Sequence, residues 1–144
     1  MASGKFQEFC EDIFLHFLVG TSQTVATAAN VRIALCTGTA PNSNSIGTEL
    51  SGATGYTAGG SAGPTSTLFG TVTQADPTII SNDEQVQWTN GGSTWTTITG
   101  VIIHRGGGTI AEATCMYFID GLSVVVPAGA TLTIAIGGLD VTEA

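Results

Sequence analysis

The sequence predicts a mainly β protein: an antiparallel β-sandwich or jelly-roll-like domain preceded by one N-terminal amphipathic α-helix. Three observations predict it. From Val31 onward, Thr, Val and Ile alternate with period two between Gly-rich turn signals, the pattern of half-buried strands. About eight or nine such segments follow one another at sandwich spacing rather than the spacing of βαβ units. The first eighteen residues hold four of the six phenylalanines, at helical intervals. The 144 residues read as a single domain, 1–144, with a helix over 4–18 and the sandwich over 31–144. A long Gly/Ser/Thr-rich loop or arm interrupts the sandwich at about 37–64.

The helix comes first. Phe6, Phe9, Cys10, Ile13, Phe14, Phe17 and Leu18 recur at i, i+3, i+4 and i+7 and make a wide apolar stripe. Ser3 offers an N-cap hydroxyl, Glu8, Glu11 and Asp12 suit the N-terminal half of the helix dipole, and Gly20 supplies the stop. Val31 to Cys36 is the first strand, with Val31, Ile33 and Leu35 on one face and Arg32, Ala34 and Cys36 on the other. The stretch from Thr37 to Pro64 has few large apolar residues and is pinned at Leu50 and Tyr56. A loop of that length in a compact domain is usually functional or disordered.

Strand signals resume at Thr65 to Val72, Thr78 to Ser81, and Glu84 to Trp88, the last with Val86 and Trp88 on one face. Asn90-Gly91-Gly92 is a turn. Thr94 to His104 is the longest strand signal, with Trp95, Val101 and Ile103 on one side and Ile98 and Ile102 on the other. Gly106-Gly107-Gly108 turns the chain into Ala111 to Ile119, where Cys115 and Tyr117 oppose Met116 and Phe118. Leu122 to Val126, Pro127-Ala128-Gly129 and Thr131 to Ile136 read as the last hairpin, and Leu139 to Thr142 closes the chain.

Charge narrows the partners. Charged residues are only 10% of the chain, and Lys5, Arg32 and Arg105 face eleven acids for a net charge of -8. Phosphate contacts need Lys and Arg, so the composition argues against nucleic acid and against anionic membrane surfaces. No apolar run approaches the length of a membrane span, and the acids near the N-terminus are unlike a signal peptide. The expectation is synthesis in a cytoplasm.

Catalytic and metal constellations are not legible. Cys10, Cys36 and Cys115 are far apart and odd in number, which favours buried thiols over a disulfide framework. Cys10 and His16 fall on different helix faces, and His104 belongs to a distant strand, so no zinc-ligand spacing exists. A triad through His104 and Asp120 lacks a nucleophile elbow, and the adjacent Asp83-Glu84 suits a solvated turn. Trp88 and Trp95 are in phase with core aliphatics and read as core rather than as a sugar platform. We therefore expect no enzyme, no cofactor and no metal.

Several segments in order carry a resemblance. They are Phe14-Leu15-His16-Phe17-Leu18, Val31 to Thr37, Ala40-Pro41, Gly47-Thr48-Glu49-Leu50-Ser51-Gly52 and Gly55-Tyr56, then Trp95 to Val101, Val126 to Ile134 and Gly138-Leu139. In this succession the chain resembles a family of small virion proteins of tailed bacteriophages, often labelled tail fibre or minor structural proteins. The resemblance implies a structural role in a virion made in the bacterial host cytoplasm. A chain this short has no fibrous shaft, heptads or collagen repeat, and its acidic surface suits an outer position away from packaged DNA. The expected function is a capsid decoration (cement) protein on the outside of the shell. Its partners are then the major capsid protein, copies of itself, or both, with a homotrimer by analogy. The alternative is a tail or neck component such as a tail fibre or host-adhesin domain. The candidate inter-subunit contacts are Phe6, Phe9, Ile13, Phe17, Leu50 and Tyr56.

Overall fold

A computed structural model describes residues 3–7, 10–11, 18–19, 31–61, 69, 78–106 and 110–143. Among them the chain is mainly β and every strand pair is antiparallel. The strands are β1 (Ser3–Lys5), β2 (Val31–Thr37), β3 (Thr78–Ser81), β4 (Val86–Thr89), β5 (Ile98–Arg105), β6 (Cys115–Ile119), β7 (Thr131–Ile134) and β8 (Asp140–Glu143). A central sheet has the order β1-β6-β5-β2, and β3-β8 and β4-β7 form two-stranded ribbons.

The central sheet is buried on both faces, which explains why β2 reads as a nearly unbroken buried run from Ile33 to Thr37. Ile33 and Leu35 on β2 point into the larger interior, with Val101 and Ile103 of β5 and Val86 and Trp88 of β4. Ala34 and Cys36 point the other way, to Ile102, Cys115, Phe118 and Phe6. The predicted facing of β2 therefore holds, and the period-two rule is its cause. The β4-β7 ribbon lies over the larger interior, adding Leu132 and Ile134 at its margin.

Two bulges change the predicted facing elsewhere. Pairing of β2 with β5 runs Cys36 to Gly100 and then Thr37 to Ile98. The irregularity at Thr99 returns Ile98 to the face of Val101 and Ile103, where a strict alternation would oppose it. Pairing of β5 with β6 skips from Ile103–Tyr117 to His104–Cys115. Met116 is the extra residue, so Met116 packs on the Tyr117 side while Cys115 and Phe118 share the other interior. A short 3-10 turn, Glu112–Thr114, takes the beginning of the strand predicted from Ala111.

The predicted last hairpin does not form. β7 pairs with β4, while 122–126 returns along the start of β5. The Ile98 and Val124 amides each donate to the other's carbonyl (2.8 and 3.1 Å), and the Trp95 amide donates to Val126 (3.0 Å). Pro127-Ala128-Gly129 thus carries the chain between sheets, because Val86 and Trp88 offer Leu132 a larger apolar partner surface than strand 122–126 can.

The start of the chain also differs from expectation. Ser3 is in β1, paired with Ile119, so it is not a helix cap. Phe6 extends that pairing through its amide on the Met116 carbonyl (3.0 Å) and drives its ring edge-on into Phe118, centroids 5.6 Å apart. A helical turn begins only after it, with the Cys10 amide on the Phe6 carbonyl (3.2 Å). The remainder of the predicted helix, including Phe9, Ile13, His16 and Phe17, lies outside the described residues, as does the predicted strand 65–72 apart from Phe69. Leu18 and Val19 are exposed.

Candidate functional site

The titratable side chains that converge do so at the outer edge of β2. An edge strand presents unpaired N–H and C=O groups and must be covered. Here the segment 48–61 covers it in three places. The Thr37 amide donates to the Thr48 carbonyl (2.8 Å) and the Leu50 amide to the Leu35 carbonyl (2.8 Å). At the far end Ile33 and Ser61 exchange both backbone bonds (2.8 and 3.0 Å). Between these contacts the Leu35 amide meets no carbonyl, and the Tyr56 phenol oxygen accepts it at 3.1 Å.

Four side chains fasten the segment. The Tyr56 hydroxyl passes its proton bond to Glu49 Oε1 (2.8 Å), and the same oxygen accepts the Gly59 amide (2.5 Å). Arg32 Nη1 donates to the Gly60 carbonyl (3.2 Å), and His104 Nε2 bonds the Gly59 carbonyl (2.8 Å). Gly60 sits at φ +68°, and a Cβ there would collide with the Ile33 carbonyl. The backbone of the segment therefore lies directly against β2, which only glycine permits.

Burial favours the neutral forms of Cys36, Tyr56 and His104. Desolvation, then the Glu49 charge, pushes the Cys36 thiol up to about 12. Burial also raises the Tyr56 phenol, against the opposing bond from Leu35. His104 moves the other way, lowered chiefly by burial. A thiol this far up is no nucleophile, and Cys36 donates weakly to the Ile46 carbonyl (3.5 Å). His104 uses Nε2 on Gly59, and Nδ1 has no partner, so neither nitrogen meets Asp120. The arrangement can hold a loop; it contains no base beside a nucleophile.

Each sequence-predicted contact residue has a definite place or lies outside the described residues. Phe6 and Leu50 are buried in the chain's own interiors, and Tyr56 packs on Trp88 and Trp95 with ring centroids 6.4 Å away from each. Phe6 and Leu50 thus pack inside this chain, and Tyr56 is half-buried against the same interior as Leu50. Phe9, Ile13 and Phe17 lie outside the described residues. The long loop is likewise no free arm over 48–61. Trp88 and Trp95 are 5% and 4% exposed, and the Trp95 indole donates to the Thr54 carbonyl (3.2 Å).

Sequence reasoning missed Glu49, Arg32, Asn82 and Asn90. Asn82 directly follows β3 and Asn90 directly follows β4, and both are fully buried. The Asn90 amide donates to the Ser93, Val126 and Pro127 carbonyls and its oxygen accepts from Gly92. Asn82 bonds Glu84, Ala135 and Leu139 in the same manner. The available signal was an Asn directly after each of two strands, which reads equally well as a turn.

Two clefts remain. One of about 350 Å³ is lined by Phe6, Gln7, Glu11, Ser43, Asn44 and Glu112, with the Gln7 amide donating to Glu11 (2.6 Å). The other, of about 160 Å³, lies between 50–54 and 93–96. Among the described residues no group of three or more His, Cys, Asp and Glu converges as metal ligands, and no helix is long and apolar enough to cross a membrane. No family model matches the chain, and no curated protein matches it.

Proposed function

We propose that this is a structural protein of a bacteriophage virion, acting as a decoration protein on the outer face of the major capsid protein shell. The observation that supports it most is the ordered set of segments resembling small virion proteins. Those segments supply Leu35, Leu50, Tyr56, Trp95, Val101, Val126 and Leu139, which pack into one interior. The resemblance is therefore spread over a shared core and does not sit on one loop. The β4-β7 ribbon facing the central sheet across that core is the arrangement a β-sandwich or jelly roll requires.

Two physical properties favour the shell exterior. A net charge of -8 repels the genome, and the edge of β2 is sealed against unwanted strand addition at high local concentration. The ionisable side chains at that edge serve as fasteners, which favours a role in adhesion over one in turnover. A tail fibre or adhesin binding glycans through Trp88 or Trp95 would need those rings exposed. With Phe6, Leu50 and Tyr56 internal, the apolar contacts for a shell or a second copy are Phe9, Ile13 and Phe17 with the exposed Leu18 and Val19.

Copy number tests the reading. Purified virions should carry hundreds of copies per particle on a stained gel, and added protein should raise the heat resistance of stripped capsids. A handful of copies per particle would assign the protein to the tail instead. The double substitution Leu18→Asp, Val19→Asp should abolish capsid binding with a stability change of no more than about 0.5 kcal/mol, because both positions are exposed.

A further inference from the structure

His104 stands on β5 opposite Arg32 of β2 and is 1% exposed. A carbonyl oxygen only accepts, so the bond to Gly59 places the ring proton on Nε2 and leaves Nδ1 bare. Nδ1 is buried and has no hydrogen-bond partner. A second proton would settle there with no acceptor in good hydrogen-bond geometry, the Arg105 backbone giving it only weak support.

The surroundings decide against that charge. Arg32 lies opposite His104 on β2 and Cys115 opposite it on β6, while Glu49 and the Gly59 carbonyl act on the ring from the covering segment and the Arg105 backbone from its own strand. Burial is the largest influence and disfavours the proton. The Gly59 carbonyl, Glu49 and the Arg105 backbone favour it, and the Arg32 cation opposes it. Among the described residues Glu49 is the anion that acts on the ring, and its Oε1 already accepts from both Tyr56 and Gly59.

We propose that segment 56–61 is a pH-sensitive latch on the edge of β2, closed over a buried neutral His104 and loosened when the ring takes up a second proton, because closure would then bury a charge although the Nε2–H bond to Gly59 persists. Release frees the Gly59 and Gly60 carbonyls from the sheet and uncovers the backbone of Ile33 and Leu35. The closed form binds the proton less well than the open form. The latch is therefore fully closed above the ordinary imidazole value of about 6.5 and loosens as pH falls below it. Across the interval down to the depressed value, the opening constant grows by up to about tenfold per pH unit. Acid thereby presents an unpaired strand edge that neutral medium conceals.

Residue-resolved amide hydrogen exchange from pH 7.5 to 5.0, corrected for intrinsic rates, tests this. The Ile33, Leu35 and Ser61 amides should lose protection by up to about tenfold per unit below about pH 6.5, while Ile102 and Phe118 hold theirs. His104→Gln keeps a donor for Gly59 without a titrating group and should flatten the response. His16→Gln, altering the other imidazole of the chain, should leave it intact. A flat profile in the unaltered protein overturns the proposal, as does a slope that survives His104→Gln. If His104→Gln does not fold, NMR titration of the unaltered imidazole decides. A midpoint below about 6.5 that coincides with loss of Ser61 protection supports the latch. A midpoint at or above that value, or one without the loss, refutes it.

Discussion

Asn90 shows how much one polar side chain decides here. Its amide satisfies carbonyls from the Ser93 turn and from both ends of the Val126–Pro127 step, so it sets where the chain crosses between sheets. Removing it breaks these bonds and the one from the Gly92 amide, although Val126 and Pro127 keep the Trp95 and Ala130 amides as donors, and each lost bond costs about 0.5–1.5 kcal/mol. We expect Asn90→Ala to lower the unfolding free energy by about 2–4 kcal/mol in urea titrations. Asn90→Asp should cost more, since a carboxylate would face the same three carbonyls. The cysteines separate by exposure in the same way. Cys10 is exposed, whereas Cys36 and Cys115 are buried and the Cys36 thiol is pushed up to about 12. A thiol reagent at pH 8 should label one cysteine per folded chain, and all three in denaturant.

The element that matters most is the segment 48–61, because it turns an edge strand into an interior one. Its fastening is distributed among Tyr56, Glu49, Arg32 and His104, with Gly60 allowing close approach. Tyr56→Phe keeps the ring against Trp88 and Trp95 but deprives the Leu35 amide and Glu49 of their partner. The expected loss is about 1–2 kcal/mol, with Leu35 amide exchange accelerated more than that of Ile102. Gly60→Ala should be worse, because the added methyl strikes the Ile33 carbonyl at a positive φ. Its signature would be loss of the whole cover, read as proteolytic cleavage within 48–61. Phe6 makes a comparable point for the N-terminal strand. Phe6→Ala should cost about 3–5 kcal/mol as a core substitution, an outcome foreign to an interface residue.

At the scale of the whole molecule, three basic residues against eleven acids leave repulsion largely unbalanced. Raising salt from 10 to 200 mM should therefore raise the melting temperature, as screening shortens the reach of like charges. The sequence by itself determined the β class, the facing of β2, the burial of Val86 and Trp88, and the pinning of the long loop at Leu50 and Tyr56. Each follows from period-two alternation or from a large apolar residue in a polar stretch, and both are local signals. Tertiary structure alone decided the rest. Ile98 and Met116 changed faces at bulges, which depend on the register of the neighbouring strand. Phe6 became β-paired core because Met116 and Phe118 receive it, although its spacing fits a helix equally well. β7 chose β4 over the strand before it in sequence, since pairing follows the apolar surface available across the sheet. Glu49, Arg32 and His104 became fasteners because two glycine-permitted positions, Gly59 and Gly60, bring two carbonyls and an amide to them. Local pattern specifies which way a side chain points along its own strand; which surface it then meets is a property of the assembled fold.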